Sequence, residues 1–157
     1  MNFDYWEELT DTYMQMYFDN YEPLAQKKGV HADYIIDNEV YEVKIDRAAI
    51  KTGNLFIEIA QSSNTQERKP SGLMKTLEKG YNVIIFIPYE NDIKCYVFTA
   101  QDMLNLIQDL PEKKTKPFVN GNAGGFFSYG KLLKVKEIEK YAKRRNWWQF
   151  NKRTFIF

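Results

Sequence analysis

The chain carries one cysteine and one histidine in 157 residues. Cys95 has no partner for an internal disulfide, and its apolar, strand-like surroundings argue against a reactive thiol. Nothing around His31 completes a zinc set or a Ser-His-Asp arrangement, so a lone histidine ahead of a strand reads as surface. Gly121, Gly124 and Gly125 cluster without a following Gly-Lys-Ser/Thr, which excludes a phosphate-cradling loop and leaves a turn. No apolar run approaches the length needed to span a bilayer, so no membrane partner is expected. The start, Met1 to Glu8, is acidic where a secretory leader would be basic. Together these absences predict a folded protein of a reducing, cytoplasmic compartment.

Aromatic residues, in contrast, are plentiful: 11 Tyr, 11 Phe and 3 Trp. Residues 1–157 suffice for a single domain with one sizeable core. Net charge is only +1 but unevenly spread. Residues 1–63 hold 12 acids and 5 bases, a balance of −7, whereas residues 64–157 hold 9 acids and 17 bases, a balance of +8. An asymmetry of this size favours an anionic partner, against the plainer reading of charges interleaved over one surface.

Trp6, Leu9, Tyr13, Met16 and Tyr17 recur at helical spacing, so residues 4–21 read as an amphipathic helix. Pro23 and Lys27-Lys28-Gly29 end it. Strands follow near 30–36, 39–46 and 54–60, and then a polar loop over 61–70. Ser71 N-caps a short helix that Gly80 ends. Val83 to Ile87 is continuously apolar and reads as a central strand covered on both faces. Residues 88–92 turn the chain into a returning strand over 93–99. Thr99 and Asp102 open a helix carrying Met103, Leu104 and Ile107. Residues 111–125 read as a loop, 132–135 as a strand, and 137–145 as a basic helix before Trp147, Trp148 and an aromatic tail. The order predicts an α/β fold, a mixed central β-sheet flanked by helices.

The segment from Asp33 to Lys44 carries the most information. With Asp37-Asn38 as a two-residue turn at positive φ, Ile36 faces Glu39, Ile35 faces Val40, Tyr34 faces Tyr41 and Asp33 faces Glu42. Alternation places Glu42 and Lys44 on one face, with Asp33 across from Glu42. Two opposed carboxylates repel, and a divalent cation between them would explain the arrangement. Read alone, the three residues also fit a solvated face with a weak ion pair.

Asp followed by Glu-x-Lys across a hairpin resembles the core motif of the PD-(D/E)XK nuclease superfamily of restriction endonucleases, phage exonucleases and Holliday-junction resolvases. The stretches Thr52 to Glu58 and Ser71-Gly-Leu73 are similar to small phage and prophage members, which would put the protein in a host-cell cytoplasm. The resemblance spans residues 30–88, a little over a third of the chain. His31-Ala32 stands where many members have a proline. The resemblance implies a restriction-endonuclease-like sheet with the site at one edge, and hydrolysis of DNA phosphodiester bonds with magnesium or manganese as cofactor.

In that chemistry Asp33 and Glu42 would hold the metal, with the Val43 carbonyl as a third ligand. Lys44 would orient the attacking water and touch phosphate. Glu58, the one charge in an otherwise apolar strand expected near Glu42, is either a further ligand or solvent-facing. Glu7 and Glu8 fit an ordinary acidic first helical turn. Arg47, Lys51, Lys69 and Lys75 are the bases expected to meet DNA. Lys140, Lys143, Arg144 and Arg145 with the two tryptophans would suit single-stranded or branched DNA, or else the tail packs on the core or on another subunit. Related resolvases work as dimers, and a homodimer interface could come from that tail. The competing function is a nuclease-like fold that binds nucleic acid or protein without cleaving.

Overall fold

The computed structural model describes residues 3–24, 33–63, 67–110, 112–114 and 126–138. His31, Lys27 to Gly29, the glycines at 121–125, the basic stretch 140–145 and the Trp147-Trp148 tail therefore lie outside the described residues.

The first helix, α1 (Phe3–Tyr17), gathers Tyr13, Met14 and Tyr17 on one face, and Phe18 follows directly. The turn at Asp37 (φ 51°) and Asn38 (φ 66°) closes β2 (Tyr34–Ile36) on β3 (Glu39–Ile45). Both residues sit in the left-handed region, where Asp and Asn are tolerated better than most side chains. A two-residue strand, β1 (Glu22–Pro23), borders β2. Then come α2 (Ala48–Thr52), β4 (Asn54–Ser63), β5 (Lys69–Pro70) and α3 (Gly72–Glu78). The chain continues through β6 (Asn82–Pro88), β7 (Ile93–Phe98), α4 (Ala100–Asp109), β8 (Glu112–Lys114) and β9 (Phe126–Lys134).

Ser71 and Thr99 cap α3 and α4, their side chains accepting from the N–H groups of Met74 and Asp102. Gly80 (φ 76°) ends α3, its N–H bonded to the Leu77 carbonyl.

The strands form two sheets rather than one. The central sheet is mixed, in the order β1-β2-β3-β6-β7, with β3 and β6 parallel and the other neighbours antiparallel. The second sheet has the order β5-β4-β9-β8 and is antiparallel throughout. Three sequence expectations change here. The strand after the motif, β4, pairs with β9 rather than lying beside the Glu42 strand. The polar stretch after residue 60 stays in strand to Ser63, because β9 supplies partners as far as Phe126↔Ser63. Residues 112–114 are strand, not loop.

Helices flank the central sheet on both faces. On one face α1 packs through Tyr13, Met14 and Tyr17 onto Tyr41, Ile84, Phe86 and Val97. Tyr13 and Tyr17 set their rings 5.5 Å and 5.6 Å from that of Phe86. On the other face Val83, Ile85, Ile87, Tyr96 and Phe98 meet α3, α4, β4 and β9. Burial on both faces is why β6 tolerates an unbroken aliphatic run.

Candidate active site

The motif hairpin takes the expected register through Ile36↔Glu39, Ile35↔Val40 and Tyr34↔Tyr41. Pairing then departs from expectation, since Asp33 does not oppose Glu42 in the ladder. Its N–H donates to the Tyr41 carbonyl at 2.9 Å and its carbonyl accepts from Leu24 N–H at 2.9 Å. Its Oδ2 accepts the Val43 N–H at 2.8 Å. The carboxylate has taken over a main-chain partner, and three hydrogen bonds fix Asp33 more firmly than a ladder rung would.

Tyr41, Val43 and Ile45 turn toward α1, so Glu42 and Lys44 face the opposite side of the sheet. Glu42 Oε1 lies 3.3 Å from Lys44 Nζ. Glu42 Oε2 is buried and accepts no hydrogen bond. Burial raises the Asp33 carboxyl above its ordinary range, and the nearby Glu42 carboxylate raises it further. The Val43 N–H and the Lys44 ammonium oppose both effects. Asp33, Glu42 and Lys44 thus share one neighbourhood. It holds a crowded pair of acids, one buried oxygen without a donor, and one cation.

That donor chemistry fits a hard divalent cation. An ionised oxygen without a partner is costly to bury, and oxygen-only donors suit magnesium or manganese. Among the described residues no three His, Cys, Asp or Glu side chains come together. The carboxylate pair would therefore be the side-chain contribution among the described residues, with Val43 adjacent to Glu42 and its N–H bonded to Asp33. Magnesium commonly binds one or two carboxylates and keeps several waters.

The remaining sequence candidates are placed elsewhere. Glu58 lies in the second sheet, its Oε1 accepting from Gln61 at 2.8 Å and its Oε2 from Ser128 at 2.7 Å. Both oxygens are satisfied there, and Glu58 forms no cluster with Asp33 and Glu42. Glu7 and Glu8 are exposed on α1, across the sheet from Glu42. Arg47 donates to Tyr5 Oη at 3.2 Å on the α1 side. Lys51 lies in the last turn of α2, Lys69 on the short strand β5 and Lys75 on α3, all exposed. In strand order β3 is the middle of five, yet among the described residues β2 pairs only with Glu39 to Tyr41, so Glu42 to Ile45 have a ladder partner on one side alone, β6. Burial drives the Cys95 thiol far up, against any thiolate role.

Compared with protein-family models, curated proteins and solved structures, the chain gave no match.

A second concavity escaped sequence reasoning. A cavity of about 630 Å³ opens where the β6–β7 hairpin meets the β4–β9 end of the second sheet. Lys94, Lys134 and Lys136 line it with Tyr89 and Tyr96. Forty residues separate Lys94 from Lys134, and Lys134 ends β9 while Lys136 lies in the helical turn over 135–138, so no local pattern in the sequence brings the three together.

Proposed function

We propose that the protein is a metal-dependent nuclease of the PD-(D/E)XK kind, with a restriction-endonuclease-like fold, that hydrolyses DNA phosphodiester bonds. One observation carries the reading: the buried, donorless Glu42 Oε2 sits beside an Asp33 carboxyl that its surroundings disfavour in the charged form. A crowded acid pair with a lysine on the same strand face is expensive as pure structure and useful as a cation site. The mixed sheet flanked by helices agrees with the architecture that the motif resemblance implies.

Asp33 and Glu42 would hold magnesium or manganese. When bound, such an ion neutralises phosphate charge and makes a water more acidic. Lys44 is tied to Glu42 by its ion pair yet keeps 43% of its side chain exposed. Its ammonium can therefore swing from the carboxylate to a phosphate oxygen or an attacking water without leaving the site. Asp33, clamped by its three hydrogen bonds, supplies the rigid half of the pair.

The expected outcome is magnesium- or manganese-dependent cleavage of plasmid or branched DNA. Lys44→Ala should lower the rate by roughly 10²–10⁴-fold, the usual worth of a positioned proton-handling group. Asp33→Asn should lower it comparably by weakening the cation site. Cleavage that persists in both purified, folded variants would sink the proposal. The competing reading, binding without cleavage, draws on the same Lys44–Glu42 ion pair, taken as a permanent occupant of the carboxylate. Calorimetry separates the two, because that reading requires no magnesium or manganese affinity.

A further inference from the structure

The lysine-lined cavity is built by two unrelated parts of the chain. On one side Tyr89 and Lys94 flank the β6–β7 turn, with the Lys94 ammonium 5.4 Å from the centre of the Tyr89 ring. On the other side Lys134 and Lys136 leave the end of β9, held by Asn54↔Lys134 pairing and by the Val135 N–H bonded to the Gly53 carbonyl at 2.9 Å. Three lysines line the cavity, and no acid is among its described lining residues. Among the described residues none of the three lysines forms an ion pair. Asp92 lies near enough to raise the Tyr89 hydroxyl but does not line the cavity. Gathering like charges in a concavity is unfavourable unless an anion shares it.

Size and shape narrow the anion. At about 630 Å³ the cavity falls within the roughly 300–1,000 Å³ of pockets that enclose small ligands. A nucleotide unit fits such a volume, whereas a duplex, with its phosphates on the outside of a wide rod, cannot enter it. The half-buried Tyr89 ring adds a surface on which a base can stack, and that pairing of basic groove with aromatic platform is how single strands are held without sequence preference. Position matters as well. Lys44 pairs with Ile85 and Ile85 with Tyr96, so the motif lysine and the cavity wall share one rung of the central sheet. Two strand spacings, roughly 10 Å, separate their backbones.

We propose that this cavity holds one unpaired nucleic-acid strand, with phosphates on Lys94, Lys134 and Lys136 and a base against Tyr89. Calling that strand the substrate rests on the nuclease reading; the binding itself does not.

The test measures anisotropy of a short labelled oligothymidylate in EDTA, with the full chain and across a range of salt. Three lysine contacts predict a log–log salt slope near −2, from about −0.7 per phosphate neutralised on a single strand. The Lys134→Glu, Lys136→Glu pair should bind at least about tenfold more weakly at low salt, with a slope shallower by about 1.4. The Lys134→Gln, Lys136→Gln pair, which introduces no negative charge, should show the same slope change and guards against a fold artefact. Tyr89→Ala should weaken the oligonucleotide by about fivefold or more while leaving the slope in place. Wild-type affinity and slope in both lysine pairs would overturn the proposal. So would tighter binding of a duplex of equal length, or competition by tripolyphosphate as strong, per phosphate, as by the oligonucleotide. Strand binding without magnesium-dependent cleavage would uphold the cavity and remove the nuclease reading; cleavage that survives loss of cavity binding would uphold the nuclease reading and overturn the claim that the bound strand is its substrate.

Discussion

At the scale of single residues, Asp33 is where sequence and structure differ most usefully. The type of turn and three rungs of register were legible because they depend on neighbours a few positions apart. The fourth rung was not, since a side-chain oxygen competes with a main-chain carbonyl for the Val43 N–H, and alternation carries no sign of that contest. The outcome has a consequence for stability. Because the folded-state pKa of Asp33 lies above its ordinary value of 3.8, the folded chain holds that proton more readily than the unfolded one. The contribution is therefore fully present below the ordinary value and is lost as pH rises through the raised value. Asp33→Asn, which keeps an oxygen for the Val43 N–H, should melt higher than the parent above that window without divalent metal, and the gap should close in acid. Magnesium or manganese should raise the parent's melting temperature and leave the variant's unchanged. Thermal melts across this pH range, with and without metal, check both statements; parallel pH curves for the two proteins would show that Asp33 carries no such penalty.

At the scale of elements, caps and turns were readable and sheet membership was not. Ser71, Thr99 and the Asp37-Asn38 turn act on donors or dihedrals within three residues, so local chemistry decides them. Where β4 belongs depends on β9, some seventy residues away, and alternating apolar residues serve equally well in either sheet. The Glu58 strand, expected near Glu42, shows this: its ladder partner is β9. The β4–β9 ladder shifts register between Glu58 and Ala60, and at that irregularity Ser71 ties the start of α3 to β4 through the Glu58 and Ile59 carbonyls. Gly130 lies opposite Glu58 for a steric reason. A Cβ there would overlap Phe56 Cζ and stand 2.7 Å from the Ile57 carbonyl oxygen. Gly130→Ala should lower stability by about 1–3 kcal/mol, read as a shift of the urea midpoint. The Phe56 ring can move and the strand carbonyl cannot, so adding Phe56→Leu should recover only part of the loss. Full recovery in the double variant would assign the whole effect to the ring.

At the scale of the whole molecule, the expectation of one domain meets a structure with two apolar cores. The cores lie on opposite faces of the same strands. Ile84 and Phe86 of β6 belong to the α1 side, whereas Val83, Ile85 and Ile87 belong to the side of α3, α4 and the second sheet. Strand β7 divides in the same way, with Cys95 and Val97 on one side and Tyr96 and Phe98 on the other. Neither core can lose order while these strands keep their place in the other, because each side chain fixes the backbone that carries its neighbour. Unfolding should accordingly follow one transition, with far-ultraviolet dichroism and aromatic fluorescence giving the same urea midpoint. Phe86 is the sharpest probe, being fully buried and in ring contact with both Tyr13 and Tyr17. Phe86→Ala should cost about 3–5 kcal/mol and move both signals together. If α1 instead melts ahead of the remainder, the two signals will separate and the cores are independent units. The coupling also bears on the site, since Glu42 and Lys44 alternate with Tyr41, Val43 and Ile45 along β3. A cation held by Asp33 and Glu42 should therefore stabilise the entire chain, by about 2.7 kcal/mol at a hundred times its dissociation constant, and move the single midpoint upward.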